Sequence, residues 1–290
     1  MNTTKGFKKI LLATGGSEQA EAAVEATIAL GSPSSAEVLV VHVWNLEVYE
    51  HNGQRGVEGR EEAARLIVKT VATLRESGMA AEARIFQANR DQVAATIVLA
   101  AREFSADLVV LGSRGLSDWQ SIFKHSVSHQ VLSAVDCPVL VVRERPAIDV
   151  SAPRKVLLAI AGGHDVGPCV RAAIAAAQAP HSQVMVVHVA QALFGEQGLA
   201  YVESSEEIQA TMASAIGILN DSGIKAQGMV AHSGPVAESV AEMARSWKAD
   251  IIVVGSSRMG DFGSMLLGSV SHRLLHDTRR PVLVAERMNN

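Results

Sequence analysis

The chain has 290 residues, 48% apolar and 4% aromatic, with 26 Lys and Arg against 30 Asp and Glu for a net charge of −4. That length exceeds one ordinary hydrophobic core and implies two domains, while a balance without a basic footprint excludes nucleic acid as a partner. Cys137 and Cys169, the two cysteines, stand outside any CxxC or Cys/His cluster, which excludes a disulfide framework and a zinc knuckle, and no apolar run approaches the ~18 residues of a membrane span.

The first elements follow from the pattern of apolar residues. In the N-terminal half, strands are predicted at 8–14, 36–43, 80–87, 107–112 and 138–142, and helices at 17–31, 58–77, 91–104 and 125–135. "ILLA", "VLVVHV", "DLVVLG" and "PVLVV" are continuous Val/Ile/Leu runs, as parallel strands covered on both faces require. Ser17 and Asp91 are candidate N-caps, and Gly31 and Gly78 candidate helix stops. The segment 143–154, "RERPAIDVSAPR", has two prolines and no apolar period, and reads as a linker. Beyond it the pattern resumes, with strands expected at 154–160, 182–189, 225–232, 250–255 and 281–285.

The second half repeats the first. "HSVSHQVLSAVDCPVLVVRE" (125–144) and "GSVSHRLLHDTRRPVLVAER" (268–287) agree without a gap at nine of twenty positions. "ADLVVLGSRG" answers "ADIIVVGSSR", "KILLATGG" answers "KVLLAIAG", and "VVHV" occurs in both halves. A repeat of about 145 residues is far too long for a solenoid and marks a duplicated domain. The expected fold is therefore α/β, with two tandem doubly wound domains at 1–146 and 147–290. Each is a five-stranded, mainly parallel sheet with helices on both faces.

In such sheets the ligand crevice lies beyond the carboxyl ends of the strands. After the fourth strand stand "GSRGLSDWQSIFKHS" (112–126) and "GSSRMGDFGSMLLGS" (255–269). Backbone N–H groups of a glycine-rich turn and a helix N-terminus can hold phosphate there. The pattern Gly-x2-Gly-x9-Gly-[Ser/Thr], followed by "SVS…PVLVV", resembles the universal stress protein family over both halves, with "ILLATGGSEQAEAAV" and "VVHV" belonging to the same pattern. The resemblance implies a bacterial-type, non-catalytic stress-response module that binds an adenine nucleotide, ATP or AMP. Its nucleotide-binding positions would be Gly112, Gly115 and Ser126 in the first copy and Gly255, Arg258, Gly268 and Ser269 in the second.

Neither copy is complete. His125 replaces the third glycine of the first, and Arg258 the second glycine of the other. ATP-binding members carry Asp at the end of the first strand, where this chain has Gly15 and Ala161. The C-terminal copy keeps Gly268-Ser269 at its helix start and is the expected site. Two other readings stay open: an interaction protein with both sites degenerate, and a slow ATPase or adenylating enzyme, for which "TGGSE" and "AGGHD" resemble an incomplete SGGxD phosphate loop.

His125/His129 and His272/His276 have i,i+4 spacing, but the pairs do not match between copies, and no metal is predicted. His42 and His188 recur at the end of the second strand, bordering the crevice, and read as packed histidines. No grouping points to nucleophilic catalysis. The segments 44–60 and 191–207 are unlike each other and are expected at the crevice mouth, where they set ligand or partner choice. The last strands are edges, so an intramolecular pseudo-dimer through 138–142 and 281–285 is expected, with oligomerisation of the whole chain left open. The expected location is the cytoplasm, with no membrane partner.

Overall fold

The computed structural model describes residues 6–15, 18–44, 49–51, 54–56, 60–112, 126–143, 154–161, 165–190, 192–195, 198–201, 203–231, 235–255 and 269–285. Two compact units result, one built on Phe7–Ala147 and one on Ile148–Asn290. Apart from Arg143 and Arg154, the predicted linker 143–154 lies outside the described residues.

The first unit runs β1 (Lys9–Ala13), α1 (Glu18–Gly31), β2 (Glu37–Trp44), the short strands β3 (Tyr49–His51) and β4 (Gln54–Gly56), then α2 (Arg60–Glu76), β5 (Ala80–Gln87), α3 (Val93–Phe104), β6 (Leu108–Gly112), α4 (Val127–Ala134) and β7 (Val139–Val142). Its main strands lie in the order β5-β2-β1-β6-β7, and every pairing is parallel. Helices α1 and α2 cover one face, and α3 and α4 the other. The inner strands are apolar throughout because both faces are covered: Leu11, Leu12, Val40, Val109 and Val110 are fully buried. β5 is an outer strand, exposed at six of its eight positions, and accordingly mixes Glu82 and Arg84 with apolar residues.

The second unit repeats this plan: β8 (Lys155–Ile160), α5 (Gly167–Ala176), β9 (Gln183–Val189), β10 (Ala192–Gly195), β11 (Gly198–Tyr201), α6 (Ser205–Asp221), β12 (Lys225–Ala231), α7 (Val236–Ser246), β13 (Ile251–Gly255), α8 (Ser269–Asp277) and β14 (Val282–Ala285). Its order is β12-β9-β8-β13-β14, again all parallel. The fold is α/β in both halves, and each of the main-sheet strands falls within a residue of its predicted bounds, whereas the short strands β3, β4, β10 and β11 were not predicted.

The repeat is physical as well as textual at the amino ends of the sheets. The Asp107 carboxylate accepts the N–H groups of Lys8 (2.8 Å) and Lys9 (3.0 Å), and Asp250 accepts those of Arg154 and Lys155 (both 2.8 Å). Lys9 Nζ sits 5.4 Å above the Phe104 ring and Lys155 Nζ 5.5 Å above that of Trp247.

Two local expectations change. Asp91 is no helix cap: it lies in a 3-10 turn, Arg90–Gln92, and Gln92 precedes α3 without a side-chain cap. Gly31 is still helical (φ −91°), and the reversal is made by Ser35 at φ 52°. Gly31 serves close packing instead, since a Cβ there would stand 2.8 Å from Met79 Sδ and 3.0 Å from Ile10 Cδ1. Gly78, at φ +82°, does stop its helix, and Met79 N–H returns to the Leu74 carbonyl. The segments 44–60 and 191–207, dissimilar in sequence, both contain an antiparallel hairpin, β3–β4 and β10–β11. Ser17 lies outside the described residues.

Candidate functional site

In the first unit the chain leaves β1 in opposite directions, toward β2 and toward β6, so the switch point lies at their carboxyl ends. Thr14 and Gly15 follow β1, His42 stands near the end of β2, Gly112 closes β6 and Ser126 opens α4. Thr14 donates its N–H to the Val41 carbonyl at 3.0 Å, and its own carbonyl accepts from His42 Nδ1 at 2.8 Å. The His42 ring, 1% exposed, is thus fastened to the end of β1. Gly15 is exposed, and an added Cβ would meet nothing within 4 Å. Ser126 is the N-cap of α4: its Oγ accepts the His129 N–H at 3.2 Å, so one amide of this helix start is already occupied. Gly115 and His125 lie outside the described residues.

The second unit brings the matching elements together differently. Ala161 follows β8 and is exposed, Gly255 closes β13, and Ser269 is the first residue of α8; Arg258 and Gly268 lie outside the described residues. Ser271, 2% exposed, donates its Oγ–H to the Gly255 carbonyl at 2.8 Å and fastens the first turn of α8 to the end of β13. Gly255 also permits a close approach, because a Cβ would stand 3.1 Å from Cys169 Sγ on α5. Burial, and then the Asp165 carboxylate, push the Cys169 thiol up to about 11 against the opposing pull of Arg171, so it is no nucleophile at neutral pH. Asp165, the acidic residue of "AGGHD", accepts the Gly167 N–H at 2.8 Å, two residues on, while Val166 stands at the N-cap of α5 without a side-chain cap.

At the end of β9, His188 does not repeat His42. Its Nε2 lies 2.6 Å from Glu203 Oε2, just before α6. In α8, burial and then the neighbouring His276 and Arg273 lower the pKa of His272, against the pull of Asp277. His276 Nδ1 lies 2.7 Å from Asp277 Oδ1. Among the described residues there is no group of three or more His, Cys, Asp or Glu that could hold a metal ion, and no helix long and apolar enough to cross a membrane.

The glycine pattern therefore locates the strand ends, but two contacts there were not anticipated. Ser271 was visible only as a repeated serine, matched by Ser128. Glu203 was visible only as an acidic residue before the Ser204–Glu207 capping box.

The model of the universal stress protein family matches residues 6–143 and again residues 153–286. The universal stress protein YxiE of Bacillus subtilis is 30% identical over 150 residues, which cover 47% of this chain and 99% of YxiE. A universal stress protein of Mycobacterium tuberculosis is 27% identical over 236 residues, 78% of each chain. A solved universal stress protein from Archaeoglobus fulgidus shares the fold with a TM-score of 0.71 at 20% identity, over 97% of this chain and 98% of that one. With the family pattern spanning both halves and the same five-stranded plan in each, this chain belongs to the universal stress protein family and carries two copies of its domain in tandem.

Proposed function

We propose that the chain is a non-catalytic cytoplasmic stress-response module, with domains at 1–146 and 147–290, that binds an adenine nucleotide, ATP or AMP, in the second. The observation carrying this reading is the Ser271–Gly255 tie, which holds the start of α8 against the carboxyl end of β13. A helix N-terminus fixed at a strand end favours a phosphate group. In the first unit, the Ser126 cap already occupies one N–H group at the corresponding place.

In this reading the phosphates meet Gly255, Gly268 and Ser269, with Arg258 beside them. Gly112, Gly115 and Ser126 form the weaker counterpart. Acid extraction of the purified protein and mass spectrometry test it directly: released AMP or ATP is the expected result. In calorimetry, Ser269→Ala costs ~1 kcal/mol, roughly fivefold in affinity, whereas Ser126→Ala changes nothing. Gly268→His abolishes binding, and Ala161→Asp tightens it by restoring an acceptor for the base amine. No released nucleotide and no titration of ATP or AMP would overturn the reading.

One observation favours a second reading. Gly255 is accounted for by its contact with Cys169 alone, as expected if both crevices are degenerate and the chain acts through its surfaces. The proposal also includes pairing of β7 with β14 inside the chain, since each ends its own five-stranded order. Slow hydrogen exchange is expected at the alternate amides that do not face β6 or β13, and rapid exchange there would refute the pairing.

A further inference from the structure

His188 lies at the carboxyl end of β9, in register with Ile160 of β8, and is 1% exposed. It stands within ion-pair distance of Glu203, yet neither ring nitrogen makes an aligned hydrogen bond among the described residues. Leaving a buried polar group unsatisfied costs ~1–3 kcal/mol, a penalty that an incoming polar edge would relieve. The matching His42 differs, its Nδ1 being committed to the Thr14 carbonyl.

Glu203 is held from two sides. Its backbone adjoins the capping box of α6, in which Ser204 N–H donates to Glu207 Oε2 at 2.9 Å and Glu207 N–H donates to Ser204 Oγ at 3.2 Å. One carboxylate oxygen faces His188, the other has no protein partner among the described residues, and the side chain is 24% exposed. An ionised carboxylate can only accept, so the available oxygen suits a ligand N–H. Only β8 separates β9 from β13, which puts His188 about 10 Å from the Gly255 strand end. That separation is comparable with the length of a nucleoside.

We propose that His188 and Glu203 form the base-recognising end of the C-terminal crevice. Glu203 accepts a hydrogen bond from the exocyclic amine of an amino-substituted nucleobase, and His188 is the residue that positions its carboxylate. Ala161, at the end of β8, has no side-chain acceptor, and Glu203 supplies one from just before α6, against His188 at the end of the adjoining strand β9. The proposal rests on the nucleotide-binding reading above.

Calorimetry on the full chain with ATP and with ITP, which carries a carbonyl oxygen in place of the amine, separates the two claims. The parent should prefer ATP by roughly tenfold. In Glu203→Leu, which has no side-chain acceptor, and in His188→Ala, the ATP-to-ITP ratio should fall toward one while circular dichroism stays that of the parent. If the parent binds both nucleotides without preference, or if Glu203→Leu keeps the parent ratio, the base-recognition proposal is overturned and nucleotide binding stands. If the parent binds neither, both are overturned.

Discussion

Ser271 joins α8 to β13 through the Gly255 carbonyl, and its counterpart Ser128, only half-buried, makes no such bond among the described residues. Ser271→Ala leaves that carbonyl without its donor and should cost ~1 kcal/mol of stability. Ser128→Ala should stay within ~0.5 kcal/mol of the parent. Urea unfolding midpoints of the full-length variants decide this, and equal losses would show that the two helix starts are held alike.

Asp250 secures the start of β8 through two backbone N–H groups. Asp250→Ala removes both charge-assisted bonds at once and should destabilise the protein by ~2–3 kcal/mol. A thermal midpoint unchanged from the parent would contradict this.

Asp107 adds a pH dependence. Burial raises its pKa above the ordinary value of 3.8, although the Lys8 and Lys9 amides pull the other way. A carboxyl whose folded pKa is raised contributes stability that is fully present below its unfolded pKa and lost as pH rises through the folded value. As pH falls toward 3.8, the parent should therefore gain stability relative to Asp107→Asn. Denaturation series at neutral and acidic pH would test the sign, and a parent that instead loses ground to the variant would refute it.

Two glycines should respond oppositely to the same added methyl group. Gly217, inside α6, has nothing within 4 Å of a new Cβ, so Gly217→Ala should stabilise by ~0.5–1 kcal/mol. Gly31 faces Met79, Ile10 and Ala36, all closer than 3.4 Å, so Gly31→Ala should destabilise by ~1 kcal/mol or more through overpacking. Differential scanning calorimetry of the two variants would show the shifts.

The contact between Gly255 and Cys169 gives a coupled prediction. Gly255→Ala brings a Cβ to 3.1 Å from Cys169 Sγ and should destabilise the second unit, whereas adding Cys169→Ala should recover part of that loss. Strictly additive losses in the double variant would mean that the two positions do not interact.

The strands were legible because buried parallel strands leave uninterrupted runs such as "LVVL" and "IIVV", and the duplication made each run visible twice. The helix boundaries were less so. Asp91 has the chemistry of a cap, but the chain passes through a 3-10 turn before α3 begins, and Gly31 was needed for space rather than for its dihedral freedom. The hairpins escaped because β3 and β4 have three residues each, too few for a periodic signal, and neither resembles β10 or β11. At the candidate site, glycine spacing marked the strand ends, since a turn needs glycine locally. The Ser271–Gly255 and His188–Glu203 contacts link residues about fifteen positions apart, through intervening segments whose path no local pattern reveals.

The placement of the two hairpins has a practical consequence. Each lies between the second main strand of its unit and the next helix, β2 to α2 and β9 to α6, and neither hairpin is hydrogen-bonded into the main sheet of its unit. The scaffold thus has a docking port for foreign sequence in each half. Exchanging 45–59 with 191–203 inside one polypeptide would move a hairpin from one half to the other while leaving the strands of both main sheets unchanged, and a designer could set the two insertions of a single chain independently.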